Sequence, residues 1–207
     1  AISNTYSRFS ALKVFNRVNI DRKQVADDVL DCDISLSNSK LQGFKADFEV
    51  STNSTGLMGI SPQLTVYHKN LFGGGEWLNV GFNGNFQFRL DDNVHSNEAG
   101  ASVSLSFPKF LGLSYDHFKG ASVPRTELNL SFNYQSRPEY TRNMLSASIG
   151  YTGNVNKKFS YLVYPVQLSY VRLFDLNSDF AQKLDRNPFM KYTYQSHCDL
   201  GLGFNLS

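Results

Sequence analysis

Hydrophobic and polar positions alternate along most of this chain with a period of two, the signature of strands with one apolar face rather than of helices. Residues 78–90 show it most clearly. Leu78, Val80, Phe82, Phe86, Phe88 and Leu90 share one face, and Asn79, Gly81, Asn83, Asn85, Gln87 and Arg89 share the other. Gly84 alone interrupts the apolar side. The same alternation predicts strands over Phe44–Val50, Ile60–Val66, Ala99–Phe107, Leu128–Gln135, Leu145–Tyr151, Tyr164–Tyr170 and Asp199–Leu206. In the last but one, Tyr164, Val166, Leu168 and Tyr170 are expected on the apolar face.

Turn chemistry separates these segments. Asn53–Gly56, Gly73–Gly75, Asp91–Asn93 and Gly153–Asn156 are rich in residues that favour tight turns. One connection, before the final strand, has room for a helix over Ser178–Leu184, ended by Asn187-Pro188. The first forty residues read differently. Phe9, Leu12 and Phe15 lie at helical spacing, which predicts a helix over Thr5–Phe15 capped by Ser3 or Asn4. Two short strands follow, Arg17–Asp21 and Val29–Leu36, with a turn at Val25–Asp28. A helix and a hairpin are too small to hold a core alone. The chain thus divides into a head, residues 1–40, and a run of eight strands, residues 41–207.

Alternation also occurs in soluble β-proteins, so the polar face decides between the classes. In a soluble sandwich that face meets water and is rich in Lys and Glu. Here it is mostly Ser, Asn, Gln and Gly, which suits the hydrated interior of a membrane barrel. Most segments suit the ~9–11 residues of a tilted membrane strand better than the ~5–6 of an average soluble strand. Aromatic residues gather near strand ends, at Tyr67, Phe72 and Trp77, at Phe107 and Phe110, and at Tyr140, Tyr161 and Tyr164. That distribution is expected of interfacial girdles. The fold class is therefore all-β, with antiparallel transmembrane strands. No run approaches the ~20 apolar residues of a spanning helix. Residues 1–20 carry no apolar signal region, so an exported protein would be represented here by a mature or excised sequence.

Charge and candidate chemistry narrow the function. Twenty basic and 18 acidic residues nearly balance, which argues against nucleic acid as a partner. Cys32 and Cys198 lie far apart in sequence and are not expected to bridge. Asp27-Asp28 and Asp91-Asp92 fall in turns, where backbone geometry explains them. His68, His95, His117 and His197 lack metal-ligand spacing. Gly73-Gly74-Gly75 is followed by no Gly-Lys-Ser/Thr and reads as a turn, not a phosphate loop. Arg137 and Arg142 are candidates for lipopolysaccharide phosphates, weighed against ordinary solvated loop charges. No catalytic, cofactor or metal site is expected.

Several landmarks, taken in order, resemble the outer-membrane protein assembly factors, the superfamily of barrel-assembly and translocation-assembly proteins. Thr5-Tyr6, then Leu12-Lys13-Val14-Phe15-Asn16-Arg17-Val18-Asn19-Ile20, resembles the last POTRA helix and its following strand. Leu30-Asp31-Cys32-Asp33-Ile34-Ser35-Leu36 resembles that domain's closing strand. Gln42-Gly43-Phe44 and Thr52-Asn53-Ser54-Thr55-Gly56 resemble the first barrel strand and its turn. Tyr67-His68-Lys69-Asn70-Leu71-Phe72-Gly73-Gly74-Gly75-Glu76 resembles the next strand end and turn. Phe107-Pro108-Lys109-Phe110-Leu111 and Arg137-Pro138-Glu139-Tyr140-Thr141-Arg142 add two more.

The resemblance implies the C-terminal part of a periplasmic POTRA domain followed by the first half of an outer-membrane barrel of about 16 strands. It lacks the family's inward-folded loop motif and closing strand, so the chain reads as a fragment. Eight strands also suffice for a small closed barrel. The resemblance further implies a non-enzymatic insertase that folds β-barrel proteins by strand pairing at a lateral gate. Gly43, Phe44, Lys45, Ala46, Asp47, Phe48, Glu49 and Val50 would form that gate. Unfolded outer-membrane proteins, accessory periplasmic or lipoprotein subunits, and outer-membrane lipid or lipopolysaccharide would be its partners. A related secretion or surface-export barrel, and a small structural or adhesive barrel, are the alternatives.

Overall fold

The computed structural model describes residues 2–26, 29–52, 57–89, 95–112, 124–154 and 159–206. Helix α1 (Ile2–Ala11) leads into strands β1 (Phe15–Ala26) and β2 (Val29–Asn38), which pair as an antiparallel hairpin. Eight strands follow: β3 (Gln42–Thr52), β4 (Leu57–Lys69), β5 (Trp77–Arg89), β6 (His95–Phe107), β7 (Arg125–Ser136), β8 (Thr141–Asn154), β9 (Ser160–Phe174) and β10 (His197–Leu206). They form one antiparallel sheet in chain order, with β3 at one edge and β10 at the other. Closure at eight strands is therefore not adopted among the described residues. Helices α2 (Ser178–Arg186) and α3 (Pro188–Thr193) lie between β9 and β10.

Every strand predicted from alternation is present; seven run past their periodic centres, and β5 begins one residue before the predicted Leu78, while the predicted end, Leu90, lies outside the described residues. The turn expectations at Asn53–Gly56, Asp91–Asn93 and Asp27-Asp28 fall outside the described residues, as does His117. Helix α1 ends earlier than predicted, and Ser3 and Asn4 lie inside it rather than capping it. Lys13 has a left-handed backbone (φ 56°), and the last turn tightens through Lys13 N–H to Ser10 O, 3.3 Å. That conformation cannot propagate a helix, so Phe15 opens β1 instead. Helix α2 is capped by Asn177, whose side chain accepts from Asp179 N–H at 3.0 Å. It stops at Asn187 as expected, but Pro188 then starts α3, because proline's missing donor costs nothing in a first turn.

Register converts the alternation into two continuous faces. One row runs Phe44, Val66, Val80, Val103, Leu130, Ala147, Leu168, Leu200 across all eight strands. The neighbouring row on the opposite face runs Lys45, Thr65, Gly81, Ser102, Ser131, Ser146, Ser169, Asp199. Charged side chains obey the same partition. Lys45, Asp47, Glu49, Lys69, Arg89, Glu98, Arg125, Glu127, Arg142 and Asp199 occupy polar-face positions. Arg172 is the exception.

One predicted facing is corrected. Between Ile149↔Val166 and Tyr151↔Val163 the register shifts, so Tyr164 and Pro165 of β9 oppose Gly150 alone. This bulge, at a proline that has no N–H to give the ladder, turns Tyr164 to the polar face. There its ring packs over Gly150, where a methyl group would stand 2.7 Å from Cε1. The girdle expectation is corrected likewise for Tyr67 and Trp77, which share the polar face with Thr65 and Asn79. Tyr140 also lies over that face, its hydroxyl 3.4 Å from Gln135 Oε1.

The sheet encloses almost nothing. Among the described residues the buried apolar side chains are Val14, Tyr140 and Leu184, none of them from the apolar face of the sheet. Tyr140 and Leu184 belong to a small cap, where Tyr140, Phe180 and Tyr194 pack ring against ring at 5.1–6.0 Å. The apolar face itself stays open, with Phe82 50%, Leu130 51% and Phe132 44% exposed.

Candidate functional site

All eight residues expected at a gate fall in β3, and the structure brings them to a sheet edge. β3 pairs with β4 through an unbroken register from Gln42↔His68 to Thr52↔Met58. Its other side has no partner strand among the described residues. Phe44, Ala46, Phe48 and Val50 face the apolar side, and Gly43, Lys45, Asp47 and Glu49 the polar side. Phe44 is 75% and Phe48 68% exposed, whereas Leu64 and Val66, one strand in, are 40% and 44%. The difference is the missing neighbour. A strand edge carries a row of unpaired N–H and C=O groups, a template for another strand.

The root of this edge is fixed. Lys69 N–H donates to Leu41 O at 2.6 Å, just before β3 begins. Gly43 lies under the Tyr67 ring, which leaves no space for a side chain at position 43. Tyr67 is in turn held edge-on to Trp77 at 6.4 Å, and Lys69 Nζ sits 5.4–5.5 Å from both ring centroids. Above that root, Lys45 and Asp47 form an exposed ion pair at 2.7 Å, worth little in water.

The head is seated at the same end. Lys13 Nζ lies 4.9 Å from the Trp77 centroid, and Arg125 Nη1 donates to Ala11 O at 3.3 Å. Ser39 N–H donates to Val14 O at 2.8 Å, tying the end of the hairpin to the end of the helix. Leu12 also packs against the β4–β5 turn at Gly75. That turn is built on Glu76, whose carboxylate accepts from Phe72 N–H (3.2 Å) and Gly74 N–H (3.0 Å). Asn70, Gly73 and Gly75 adopt positive φ there, and Asn70 Oδ1 accepts from Gly75 N–H at 2.8 Å. Burial alone would raise the Glu76 pKa. The backbone donors and nearby Lys109 outweigh it and hold the carboxyl below its ordinary value.

Sequence reasoning did not single out the second edge. Among the described residues β10 pairs with β9 alone, and Leu200, Leu202, Phe204 and Leu206 are 72–82% exposed. The turn at Gly73–Gly75 was expected, but not the part Glu76 plays in it as acceptor for Phe72 and Gly74 N–H; nor was the Arg125 contact with Ala11, which joins residues distant in the chain. Between the edges, the polar face offers hydroxyls and amides. Asn129, Ser131, Ser146, Ser148, Gln167 and Ser169, with Asp199, line an open groove of about 380 Å³. Such groups bind water or a polar chain; they supply no nucleophile–base pair. Arg137 pairs with Glu98 at 3.4 Å, and Arg142 lies 5.6 Å from the Tyr140 centroid. Both are committed to the polar side. Cys32 and Cys198 are free and exposed.

No protein-family model and no curated protein matches the chain. A solved structure does: the crystal structure of BamA from Haemophilus ducreyi lacking POTRA domains 1–3, with a TM-score of 0.57 at 14% identity. The match covers 99% of this chain and 37% of that one, so the chain spans little more than a third of its structural neighbour. At this identity the likeness is one of fold: the antiparallel sheet is arranged as in a BamA-like β-barrel.

Proposed function

We propose that the chain is the POTRA end and first eight strands of an outer-membrane assembly factor, which inserts β-barrel proteins by pairing their strands with the β3 edge. The observation that carries this reading is the free β3 edge, rooted beside the head, in a sheet with a BamA-like arrangement. On this reading the head lies in the periplasm and the apolar face meets lipid. Unfolded barrel proteins are the substrates, and accessory periplasmic or lipoprotein subunits dock on the periplasmic side. No side-chain chemistry is needed, because an unpaired edge in lipid is already costly and pairing it releases that cost.

Two features support the membrane setting. A sheet whose apolar face has no protein cover needs a nonaqueous one. The apolar band also descends across the sheet. It occupies Phe44–Val50 on β3 but Leu200–Leu206 on β10, although Phe44 and Leu200 share a row and the strands run in opposite directions. The displacement is roughly 20 Å across roughly 34 Å of sheet. Strands tilted by about 30° to a level band give that slope, near the ~35–45° of membrane barrels.

Reconstitution tests the activity. The full-length protein in lipid vesicles should speed the insertion of a urea-unfolded β-barrel substrate, read by its protease-protected, heat-modifiable form. A secretion or export barrel on the same scaffold would instead deliver the substrate across the bilayer, free of the membrane. No acceleration of insertion would count against the reading.

A further inference from the structure

Arg172 breaks the rule that every other charge in the eight-stranded sheet obeys. It lies on β9 between Leu168–Tyr170 and Phe174, opposite Asn143, and therefore on the apolar face. Tyr134 completes the row from β7. The side chain is exposed, and it makes no hydrogen bond or ion pair among the described residues. A cation on a lipid-facing surface is expensive near the midplane and nearly free at the interface. The surroundings place it at the interface. Tyr134 and Tyr170 are residues of the girdle type, and above them Thr141 and Ser136 replace apolar side chains on the same face. The end concerned is the one remote from the head, which touches the opposite ends of β5 and β7.

We propose that Arg172, framed by Tyr134, Tyr170 and Asn143, docks the headgroup phosphate of an anionic membrane lipid. The guanidinium presents a planar fork that matches phosphate oxygens, and the tyrosines set its depth. Arg137 and Arg142 do not compete for this role, since Glu98 and Tyr140 hold them on the other face. The proposal rests on the reading that the apolar face meets lipid, and the experiment separates the two.

Full-length protein is reconstituted in phosphatidylcholine nanodiscs containing a minor fraction of lipid A, and protein-bound lipid is counted by native mass spectrometry. Arg172→Gln should lower lipid A retention roughly fivefold, the worth of one basic side chain near an anionic surface. Arg172→Lys should keep much of it, and Arg142→Gln should not change it. Millimolar inorganic phosphate should not displace the lipid; displacement would mark a free-phosphate site and overturn the proposal. With Cys32 and Cys198 replaced by serine, a nitroxide at Leu168→Cys reports the setting. If the label lies in lipid and Arg172→Gln changes nothing, the phosphate site is wrong and the membrane reading stands. If the label lies in water, both are wrong.

Discussion

The Tyr67 ring covers the α-carbon of Gly43, so that a methyl group there would stand 2.8 Å from Cε1 and closer still to the hydroxyl. The ring cannot swing aside freely, because Trp77 and Lys69 pack on it. A glycine is therefore required where β3 leaves the head. Gly43→Ala should destabilise the barrel by about 1–3 kcal/mol, the usual cost of overpacking. Adding Tyr67→Ala should recover part of that loss. Urea unfolding in detergent micelles checks both, and additive losses would show that the two residues do not clash.

The Glu76 turn should respond to acid. Its carboxyl is held below the ordinary value of 4.5, so the unfolded chain binds the proton more readily than the folded one. The stabilisation is complete above the unfolded value and is lost as pH falls below 4.5 through the lowered folded value. Glu76→Gln should weaken the turn by about 1–3 kcal/mol at neutral pH and remove this acid dependence. Amide exchange at Phe72 and Gly74, followed from pH 7 downward with each protein referenced to its intrinsic rates, reads both effects.

The two faces predict opposite tolerances. Phe132, on the apolar face of β7, should cost about 2–4 kcal/mol when replaced by Arg if it lies near the bilayer centre. Ser131→Arg, one residue away on the polar face, should cost far less. Reversible unfolding from lipid vesicles distinguishes them, and equal costs would contradict a lipid–lumen partition.

The head should loosen when its contacts are cut. Lys13→Ala removes the cation from Trp77, a contact of about 0.5–1 kcal/mol. Amides at Leu12–Val14 should then exchange faster, while the barrel's unfolding midpoint stays unchanged. An unchanged exchange rate would mean that Lys13 is not part of the seat.

Period-two alternation made the eight strands legible, because in all but β9 the apolar face carries no charge. It failed where a residue count hides a geometric event. Tyr164 reads as apolar-face until the bulge at Tyr164 and Pro165 shifts the parity. Arg172 was readable in principle: continuing the alternation of Leu168 and Tyr170 by one step places it on the apolar face. Edges are not local properties. Alternation describes β3 and β7 in the same terms, and only pairing reveals that one of them lacks a neighbour. Ser3 and Asn4 looked like caps because their side chains suit that role, yet the helix begins earlier and is ended by Lys13's backbone.

If the β3 edge receives a substrate strand, the two must lie in register side by side. With the native cysteines, Cys32 and Cys198 among them, replaced by serine, a single cysteine at Phe44→Cys or Phe48→Cys in the full-length protein can be paired with cysteines along the terminal strand of a β-barrel substrate stalled during assembly. Crosslinks to that strand, stepping in register from position 44 to position 48, are the predicted result. Crosslinks under active assembly only to the protein's own last strand would contradict it.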